Sequence, residues 1–378
     1  MADQLQQDHP LHLPLQDLHL ALGARMVRFA GYDMPVQYPA GVLKEHLHTR
    51  AAAGLFDVSH MGQVVLRPRK NMADLARGFE ELVPVDALDL PIGRQRYGMF
   101  TDANGGILDD LMVANRGGDL FVVVNAARKA ADIAHLKANL AAVAEVVPVT
   151  DRALLALQGP QAAAVLARLL PDVAAMRFMD MIFARWRGVE VWIARSGYTG
   201  EDGFEVSVPE AAALAFAEAL LHEPEVQPIG LGARDSLRLE AGLCLYGHDI
   251  DQTSTPVEAN LSWAISKARR TGGERSGGFP GAARILHQMA EGPDRLRMGL
   301  RPDGRAPIRE GTEIYAGSDL VGRITSGGYG PSVAAPVAMG MVAAKYARTG
   351  TKLEADLRGR LLPVTVCALP FYPTSFKR

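Results

Sequence analysis

The chain has 378 residues, of which 48% are hydrophobic and 22% are charged, and its formal net charge is −2. These values are typical of a globular protein of two or three domains, and they give no support for a nucleic-acid-binding or membrane-binding surface. The apolar runs are too short to span a bilayer, so no transmembrane segment is expected.

The N-terminal residues and the cysteines predict a protein of the reducing cytoplasm. Residues 1–9 show neither a basic region followed by an apolar one nor an Arg- and Ser-rich presequence, so no secretory or mitochondrial signal is expected. Cys244 and Cys367 lie far apart, which excludes a disulfide framework and a cysteine-based zinc site. His46 and His48 diverge on a helix, and no nucleotide-binding loop is present, so neither a metal nor a nucleotide is predicted.

Residues 57–62 form a polar turn between an apolar stretch and a predicted strand at 63–66. Ser59 and His60 suggest a nucleophile and its base, but neighbouring residues on an extended segment point to opposite faces. The preferred interpretation is a backbone turn, which includes Met61, that lines a pocket.

Residues 94–114 read as a hairpin with strands at 94–100 and 107–114. Asp109 and Asp110 point to opposite faces of the second strand, and both faces are otherwise apolar. At least one carboxylate therefore enters a sheltered environment, where it must be paired, hydrogen-bonded or protonated. Such a group often marks a functional site, although a solvent-facing edge strand is the alternative, and the pattern does not choose between the two residues.

Helices and strands then alternate irregularly along the chain. Glycine and proline at 159 and 160 are a helix-start signal. The mixture, with neighbouring strands joined by tight turns, indicates an α+β protein and not a doubly wound parallel sheet. The predicted strands lie at 120–124, 146–150, 189–196 and 204–208, and the predicted helices at 126–144, 159–170 and 209–222.

A glycine-rich turn joins the strands at 189–196 and 204–208. The apolar positions of the second strand alternate, so Glu205 points to the face opposite the core. Tyr198 and Glu205 then lie on either side of a tight loop that a ligand can approach. A carboxylate beside an aromatic ring suits a flat heterocycle with adjacent N–H donors, although an ordinary hairpin with a solvated glutamate is the alternative.

The last third of the chain contains another candidate residue and a change of composition. Residues 232–246 predict a helix with Arg234 in its first turn, where the helix dipole disfavours a cation. This arginine therefore indicates an anionic partner outside the helix, or else an ordinary surface charge pattern. A basic, glycine-rich loop (267–281) and a short helix (282–291) precede residues 297–372, whose short strands predict a small β-barrel or sandwich.

Taken together, the ordered motifs closely resemble the T-protein of the glycine cleavage system, a tetrahydrofolate-dependent aminomethyltransferase. Each segment alone is a weak signal, but their series is highly specific and extends over residues 15–376. The matching segments are residues 29–38, 54–62, 105–110, 157–160, 197–205, 230–247, 322–327 and 370–374.

The resemblance implies an α+β fold of three lobes arranged like a cloverleaf, with folate in a central channel. A folate-binding region at 10–275 contains two interleaved lobes, and a β domain follows at 296–378. The lobes comprise approximately residues 1–60 with 150–225, and 61–149 with 226–292.

The implied reaction takes the aminomethyl group from the dihydrolipoyl arm of the H-protein, releases ammonia and forms 5,10-methylenetetrahydrofolate. Tetrahydrofolate is then the only small co-substrate. The implied partners are the lipoylated H-protein and, functionally, the P- and L-proteins. A monomer is expected. The expected location is a bacterial cytoplasm, because only eight of the 40 basic residues are lysine and alanine is abundant, which indicates a GC-rich bacterial genome.

The resemblance also implies roles for individual residues. Asp110 is the catalytic carboxylate, which orients the folate and supports the developing iminium ion. Glu205 accepts hydrogen bonds from the pterin, and Arg234 is the positive partner in the folate pocket. The remaining predicted ligand contacts are Tyr97, Asn125, Tyr198, Met61 and Phe376, the last replacing a tyrosine that many relatives carry.

Two other functions fit the same family resemblance. One is a different folate-dependent C1 transferase, such as a demethylase, but those relatives usually lose parts of the motifs at 57–62 and 234–247, which are intact here. The other is a non-catalytic folate-binding protein, whose Lys-Gly-Cys-Tyr-x-Gly-Gln-Glu signature is absent from the sequence.

Overall fold

The computed structural model describes residues 10–377. Residues 1–9, in which no targeting signal is predicted, lie outside the described residues. None of the helices between residues 10 and 377 is long and apolar enough to cross a membrane. The α-helices in this part of the chain are α1 Gln16–Ala21, α2 Val42–Ala51, α3 Met72–Glu80, α4 Lys129–Leu140, α5 Ala162–Leu169, α6 Glu210–Leu221, α7 Leu231–Glu240 and α8 Ala282–Glu291.

Between residues 10 and 377 the strands form two open sheets, one small hairpin and one closed barrel. The strands up to residue 149 are β1 Arg25–Phe29, β2 Tyr32–Gln37, β3 Ala53–Asp57, β4 Gly62–Pro68, β5 Arg94–Thr101, β6 Ile107–Asn115, β7 Leu120–Val124 and β8 Ala144–Val149. The later strands are β9 Arg152–Gln158, β10 Met181–Trp186, β11 Val189–Ala194, β12 Gly203–Pro209, β13 Val226–Pro228, β14 Arg295–Pro302, β15 Glu313–Ala316, β16 Asp319–Gly330, β17 Ala335–Ala343, β18 Lys352–Leu357 and β19 Arg360–Cys367.

The first open sheet has six strands in the order β10-β11-β12-β9-β3-β13. Its core face packs against helices α5 and α6, because Phe204, Val206 and Val208 alternate along β12 and are all buried. The opposite face carries Glu205 and Ser207, as the period of two requires. The sequence therefore placed Glu205 on the correct face of its strand.

The second open sheet has five antiparallel strands in the order β5-β6-β7-β4-β8. Helices α3 and α4 cover one face, where Leu111 and Val113 of β6 are buried. The other face turns toward the six-stranded sheet, and Phe121 and Met181 pack between the two. The central site thus has a wall from each sheet.

The glycine-rich C-terminal region forms a closed barrel in the order β14-β17-β16-β15-β18-β19. This confirms the predicted small β domain, and the α+β class is confirmed as well. The boundaries of the two interleaved lobes stay a prediction.

Several predicted elements match closely, and the differences lie mainly at helix ends. The strand at 120–124 coincides with β7, and the hairpin strands differ from β5 and β6 by one residue at each C-terminal end. The helix predicted at 126–144 is shorter, because it begins after a turn in which the N–H of Arg128 bonds the carbonyl of Asn125. The helix predicted at 159–170 begins at Ala162, because Gly159 has a φ of 131°.

The helix predicted at 232–246 is wrong at its C-terminal end, since α7 stops at Glu240. Gly242 has a φ of +68°, and the N–H of Leu243 bonds the carbonyl of Arg238 at 2.9 Å. This is the Schellman arrangement that ends helices at glycine. The chain after it turns toward the central site instead of continuing along the helix.

The loop at 267–281 is only partly exposed, which corrects the prediction of an exposed loop. Arg269 and Phe279 are buried. The buried carboxylate of Glu80 accepts hydrogen bonds from Arg269 Nη1 at 3.3 Å and from Arg275 Nε at 2.9 Å. The basic residues that suggested a solvated loop therefore attach it to the five-stranded sheet and its helices.

The end of α7 can be tested with Gly242→Ala, using Gly317→Ala in the turn between β15 and β16 as the control. The two glycines have similar positive φ, +68° and +64°, so either alanine costs on the order of 1–2 kcal/mol in backbone strain. At Gly242 the new Cβ would lie 2.9 Å from Leu369 Cβ, whereas nothing lies within 4 Å at Gly317. We expect a lower melting temperature for Gly242→Ala than for the control, and equal values would contradict the packing argument.

Candidate active site

The candidate site lies between the facing sides of the two open sheets. Tyr97 and Asp110 occupy neighbouring strands β5 and β6, and Asn125 follows the end of β7. From the opposite sheet, β12 presents Glu205 and Ser207. Alternation along antiparallel strands thus places polar groups on both walls of one cleft.

A mainly apolar cavity fills part of this cleft. Its polar lining comes from Gln95, Glu205 and Ser207. A few convergent polar groups in an otherwise apolar cavity are typical of a small-molecule site, where they fix the orientation of the ligand. The apolar lining residues are Met112, Phe121, Val123, Leu154, Met181, Trp192 and Ala194.

Asp110 is held by two hydrogen bonds. Tyr97 Oη donates to Asp110 Oδ2 at 2.9 Å, and Asn125 Nδ2 donates to Asp110 Oδ1 at 2.6 Å. Burial, and then the charge of Asp109, raise the pKa of Asp110 to about 7, against the opposing effect of both hydrogen bonds. A carboxyl group that exchanges its proton near neutral pH can orient a substrate, stabilise a cation or transfer a proton.

Asp109, the alternative candidate from the sequence, lies on the other face of β6. Its side chain is fully buried in the region covered by α4. Asn125 connects the two acids, because its Nδ2 also donates to Asp109 Oδ1 at 2.9 Å. Asp110 lies on the same face of β6 as Met112, which lines the cavity beside Glu205, whereas Asp109 lies on the opposite face.

Trp263 belongs to the surroundings of Asp110 and was missed by the sequence analysis. Its ring stacks on Tyr97, with centroids 5.3 Å apart and an interplanar angle of 28°. The side chain is 60% exposed, so it forms an aromatic surface beside the catalytic candidate. Trp263 lies in a short 3₁₀ turn without hydrophobic periodicity, and no local signal in the sequence indicates its position.

The glycine-rich turn places Tyr198 between the two sheets. A Cβ on Gly197 would lie 1.7 Å from Gln158 Oε1, so a larger residue would displace this buried side chain from its hydrogen bonds with Ser196 and Thr199. Tyr198 Oη donates a hydrogen bond to the carbonyl oxygen of Cys244. Burial raises the pKa of the phenol, which keeps it neutral and able to donate.

Arg234 lies against Tyr198 in the interior. Its Cζ is 4.8 Å from the centroid of the tyrosine ring, a cation–π contact. Burial lowers the pKa of the guanidinium, while the charge of Glu205 opposes that change. Arg234 Nη1 is buried and has no hydrogen-bond partner among residues 10–377. Buried donors are nearly always paired, and Nη1 is therefore available to donate to a ligand atom.

The other predicted contacts are Met61 and Phe376. Met61 packs against the apolar cluster that contains Leu154, and Leu154 also lines the cavity. Phe376 stacks on Phe178, with ring centroids 4.2 Å apart and an interplanar angle of 17°. Hydrogen bonds thus connect Tyr97, Asp110 and Asn125 with one another. Phe376, in contrast, contacts the ring of Phe178.

Ser59 and His60 have separate surroundings, as the sequence predicts. Ser59 Oγ accepts a hydrogen bond from the N–H of Leu154 at 3.0 Å. The buried His60 ring packs edge-on against Phe29 and Tyr32, with centroids 5.7 and 6.5 Å away. Burial lowers the pKa of His60 to about 3, so its imidazole is neutral. Neither side chain is arranged as part of a nucleophilic pair.

A buried network around Glu240 holds the parts of the site together; we call it the Glu240 network. The side chain of this last residue of α7 is fully buried. Glu240 Oε2 lies 3.0 Å from His46 Nε2 and 3.1 Å from Arg50 Nη2, and Oε1 accepts from the N–H of Ser332 at 2.7 Å. Arg50 also bonds Glu201 at 2.9 Å, in the turn that carries Tyr198. One carboxylate therefore joins four parts of the structure, which are helices α2 and α7, this turn and the barrel.

Comparison with known families assigns both parts of the chain. Residues 15–269 match the family described as the GCVT N-terminal domain. Residues 295–373 match the family described as the Glycine cleavage T-protein C-terminal barrel domain.

Individual relatives agree over nearly the whole length. The chain is 43% identical to a protein of Homo sapiens named "Aminomethyltransferase, mitochondrial", over 96% of this chain and 90% of the relative. It is 42% identical to a protein of Dictyostelium discoideum with the same name, over 96% and 93%. Among solved structures, glycine cleavage system aminomethyltransferase T from Bartonella henselae has a TM-score of 0.91 and 42% identity, covering 98% of this chain and 100% of that one.

The Glu240 network predicts a specific pH dependence of stability. Burial alone raises the pKa of Glu240, but the contacts with His46 and Ser332 lower it to about 2 from the usual 4.5. The stabilisation is therefore present above the pKa of the unfolded chain and is lost as the pH falls from about 5 toward 2. We expect Glu240→Gln to lose roughly 3 kcal/mol of unfolding free energy at neutral pH and to show a shallower fall in the acid range.

Urea unfolding at a series of pH values measures both effects. Glu81→Gln, at the exposed residue after α3, is the control and should leave the curve unchanged. Identical pH profiles for Glu240→Gln and this control would exclude the network as the source of the acid sensitivity.

Proposed function

Because the chain belongs to the T-protein family of the glycine cleavage system, we propose that its catalytic centre is the cleft between the two open sheets, with Asp110 at the reacting atoms. The protein is an aminomethyltransferase that transfers the methylene group of the H-protein aminomethyldihydrolipoyl arm to tetrahydrofolate and releases ammonia. The observation that carries the proposed location is the carboxyl of Asp110, held by Tyr97 and Asn125 on the face of β6 whose Met112 lines the same cavity as Glu205.

The residues of the cleft fit a folate. An apolar cavity with a carboxylate on one wall suits a flat pterin, whose adjacent N–H groups can donate to that carboxylate. Arg234 supplies a buried donor without a partner among residues 10–377. Tetrahydrofolate, when bound, supplies the two nitrogen atoms that carry the transferred methylene group.

Asp110 has the proposed role of orienting and stabilising the reacting groups. As ammonia leaves, positive charge develops on the transferred carbon, and a fixed carboxylate beside it lowers the energy of that state. Tyr97 and Asn125 hold both carboxylate oxygens in place before substrate arrives, which reduces reorganisation during the step. A pKa of about 7 also allows Asp110 to accept or return a proton.

Glu205 has the proposed role of anchoring the pterin. Ser196 Oγ donates to Glu205 Oε2 at 2.7 Å, which fixes the carboxylate at the cavity wall. The positive charge of Arg234, on α7, attracts the negative charge of Glu205, so these two charges offset each other in the site. Tyr198, Met61 and Phe376 complete the proposed folate contacts through apolar surface.

The family supports a lipoylated H-protein as the partner that brings the substrate, with the P- and L-proteins acting in the same system. We propose that this chain works as a monomer in a bacterial cytoplasm. Its arginine-rich composition and its free cysteines, Cys244 and Cys367, support that location, whereas the eukaryotic relatives above are named mitochondrial. A demethylase or a non-catalytic folate-binding protein is not favoured, because the relatives over the full length are named aminomethyltransferases.

Asp110→Asn tests the catalytic assignment. The amide keeps the shape of the side chain but cannot carry the negative charge, so we expect the rate to fall by about 10²–10⁴-fold. Tetrahydrofolate affinity should change little. The assay follows ammonia release and methylenetetrahydrofolate formation from aminomethylated H-protein, with the exposed Asp319→Asn as control. Full activity of Asp110→Asn would refute the assigned role, and background activity of the wild-type protein would refute the reaction.

Glu205→Ala tests the pterin contact. The loss of a charge-assisted hydrogen-bond acceptor should weaken tetrahydrofolate binding by about 10–100-fold, and Glu205→Gln should be intermediate. Calorimetric titration measures the affinity. Glu210→Ala, five residues further on and exposed at the start of α6, should bind like the wild-type protein. Unchanged affinity of Glu205→Ala would show that this carboxylate does not hold the pterin.

A further inference from the structure

Gln95 is a buried polar residue in the lining of the cavity. It lies on β5 two residues before Tyr97, so the alternation of the strand points both side chains to the same face. Gln95 is only 6% exposed, and its Nε2 atom has no hydrogen-bond partner among residues 10–377. Because buried amide groups are nearly always paired, a partner for this donor has to come from the contents of the cavity.

The protein groups that share the lining offer Gln95 no partner. Ser207 Oγ donates to Gln63 Oε1 at 2.6 Å and accepts from Arg152 Nε at 2.9 Å, so it is already engaged. Glu205 is the other polar residue of the lining, and the amide nitrogen of Gln95 makes no hydrogen bond with it. The remaining lining residues have apolar side chains or an indole ring. The cavity thus presents a carboxylate acceptor and an amide donor to a bound molecule.

The backbone holds Gln95 where the two open sheets join. Its N–H donates to the carbonyl of Met179 at 2.9 Å, just before β10. Close by, the N–H of Met181 donates to the carbonyl of Gly93 at 2.8 Å. These bonds connect β5, at the edge of one sheet, with β10, at the edge of the other. The amide of Gln95 therefore has a fixed base, which reduces the ordering that ligand binding requires.

A reduced pterin ring has an edge that complements these groups. The two adjacent N–H groups that Glu205 is proposed to bind lie between a ring carbonyl oxygen and a ring nitrogen, which are both acceptors. A carboxylate cannot pair with either acceptor, because it presents only acceptors itself. Gln95 and Arg234 each hold a buried donor atom without a partner among residues 10–377. Two donors of the site are therefore available for the two acceptors of the ring.

We propose that Gln95 is a ligand-binding residue, whose amide donates a hydrogen bond to an acceptor atom of the pterin ring beside the groups bound by Glu205. This inference rests on the proposed function, since the ring is that of tetrahydrofolate. The contact favours a ring with an acceptor at this edge, because any other atom there leaves the buried amide unpaired. Gln95 thus takes part in recognition of the ring, whereas the proposed chemistry takes place at Asp110.

Gln95→Met tests the contact, because methionine keeps the length of the side chain and removes the amide. We expect the affinity for tetrahydrofolate, measured by calorimetric titration, to fall by about 5–20-fold, since a ring acceptor then stays unpaired in a buried site. The affinity for 6-methyltetrahydropterin, which has the reduced ring without the aminobenzoyl-glutamate tail, should fall by the same factor. The melting temperature of the ligand-free protein should not fall, because Nε2 makes no hydrogen bond with the protein.

Gln288→Met, at a second buried glutamine, is the matched control. This residue of α8 has a paired amide, since its Oε1 accepts from Thr255 Oγ1 at 2.6 Å and its Nε2 donates to Glu258 Oε1 at 3.1 Å. The control variant should therefore melt at a lower temperature and bind tetrahydrofolate like the wild-type protein. A merely structural role of Gln95 would give the same pattern as this control.

Three outcomes would overturn the proposal. Unchanged affinity of Gln95→Met for both ligands would show that the amide pairs with water only. A loss of affinity for tetrahydrofolate alone would place the contact at the tail and not at the ring. Failure of the wild-type protein to bind either ligand would refute the proposed function together with this inference, whereas the first two outcomes, with normal wild-type binding, refute the role of Gln95 alone.

Discussion

The structure depends on one buried carboxylate, that of Glu240. A fully buried charge is tolerated only where partners surround it, and here His46, Arg50 and Ser332 come from different parts of the chain. Since each partner belongs to another element, satisfying the charge also fixes the relative positions of α2, α7 and the barrel. The turn that carries Tyr198 is joined to the same charge, because Arg50 bonds both Glu240 and Glu201.

The sequence alone predicted the positions of site residues where local interactions determine those positions. Alternation along single strands placed Asp110 and Glu205 on their correct faces, because the period of two follows from backbone geometry alone. The first turn of α7 contains Arg234, as its pattern indicated, and Glu205 attracts it from outside the helix. Family motifs added the roles of these residues, which periodicity cannot supply.

The sequence alone did not predict the neighbours of the site where contacts join distant residues or irregular segments. Trp263 reaches Tyr97 across 166 positions of chain from a turn without periodicity, and Glu240 and His46 are 194 residues apart. Asp132 lies on the buried stripe of α4 with Leu136 and Leu140. An acid on an apolar stripe indicates polar surroundings, but periodicity does not show which segments supply them.

The Glu240 network has a consequence for synthesis of the protein on the ribosome. The backbone carbonyl of Glu240 accepts a hydrogen bond from the N–H of Phe371, and its carboxylate accepts one from the N–H of Ser332. Both residues emerge long after β6 and β12 have been translated. A nascent chain that already contains both walls of the cleft therefore still lacks these two contacts of Glu240, and the network that joins α2, α7 and the barrel closes only after residue 371 has been synthesised.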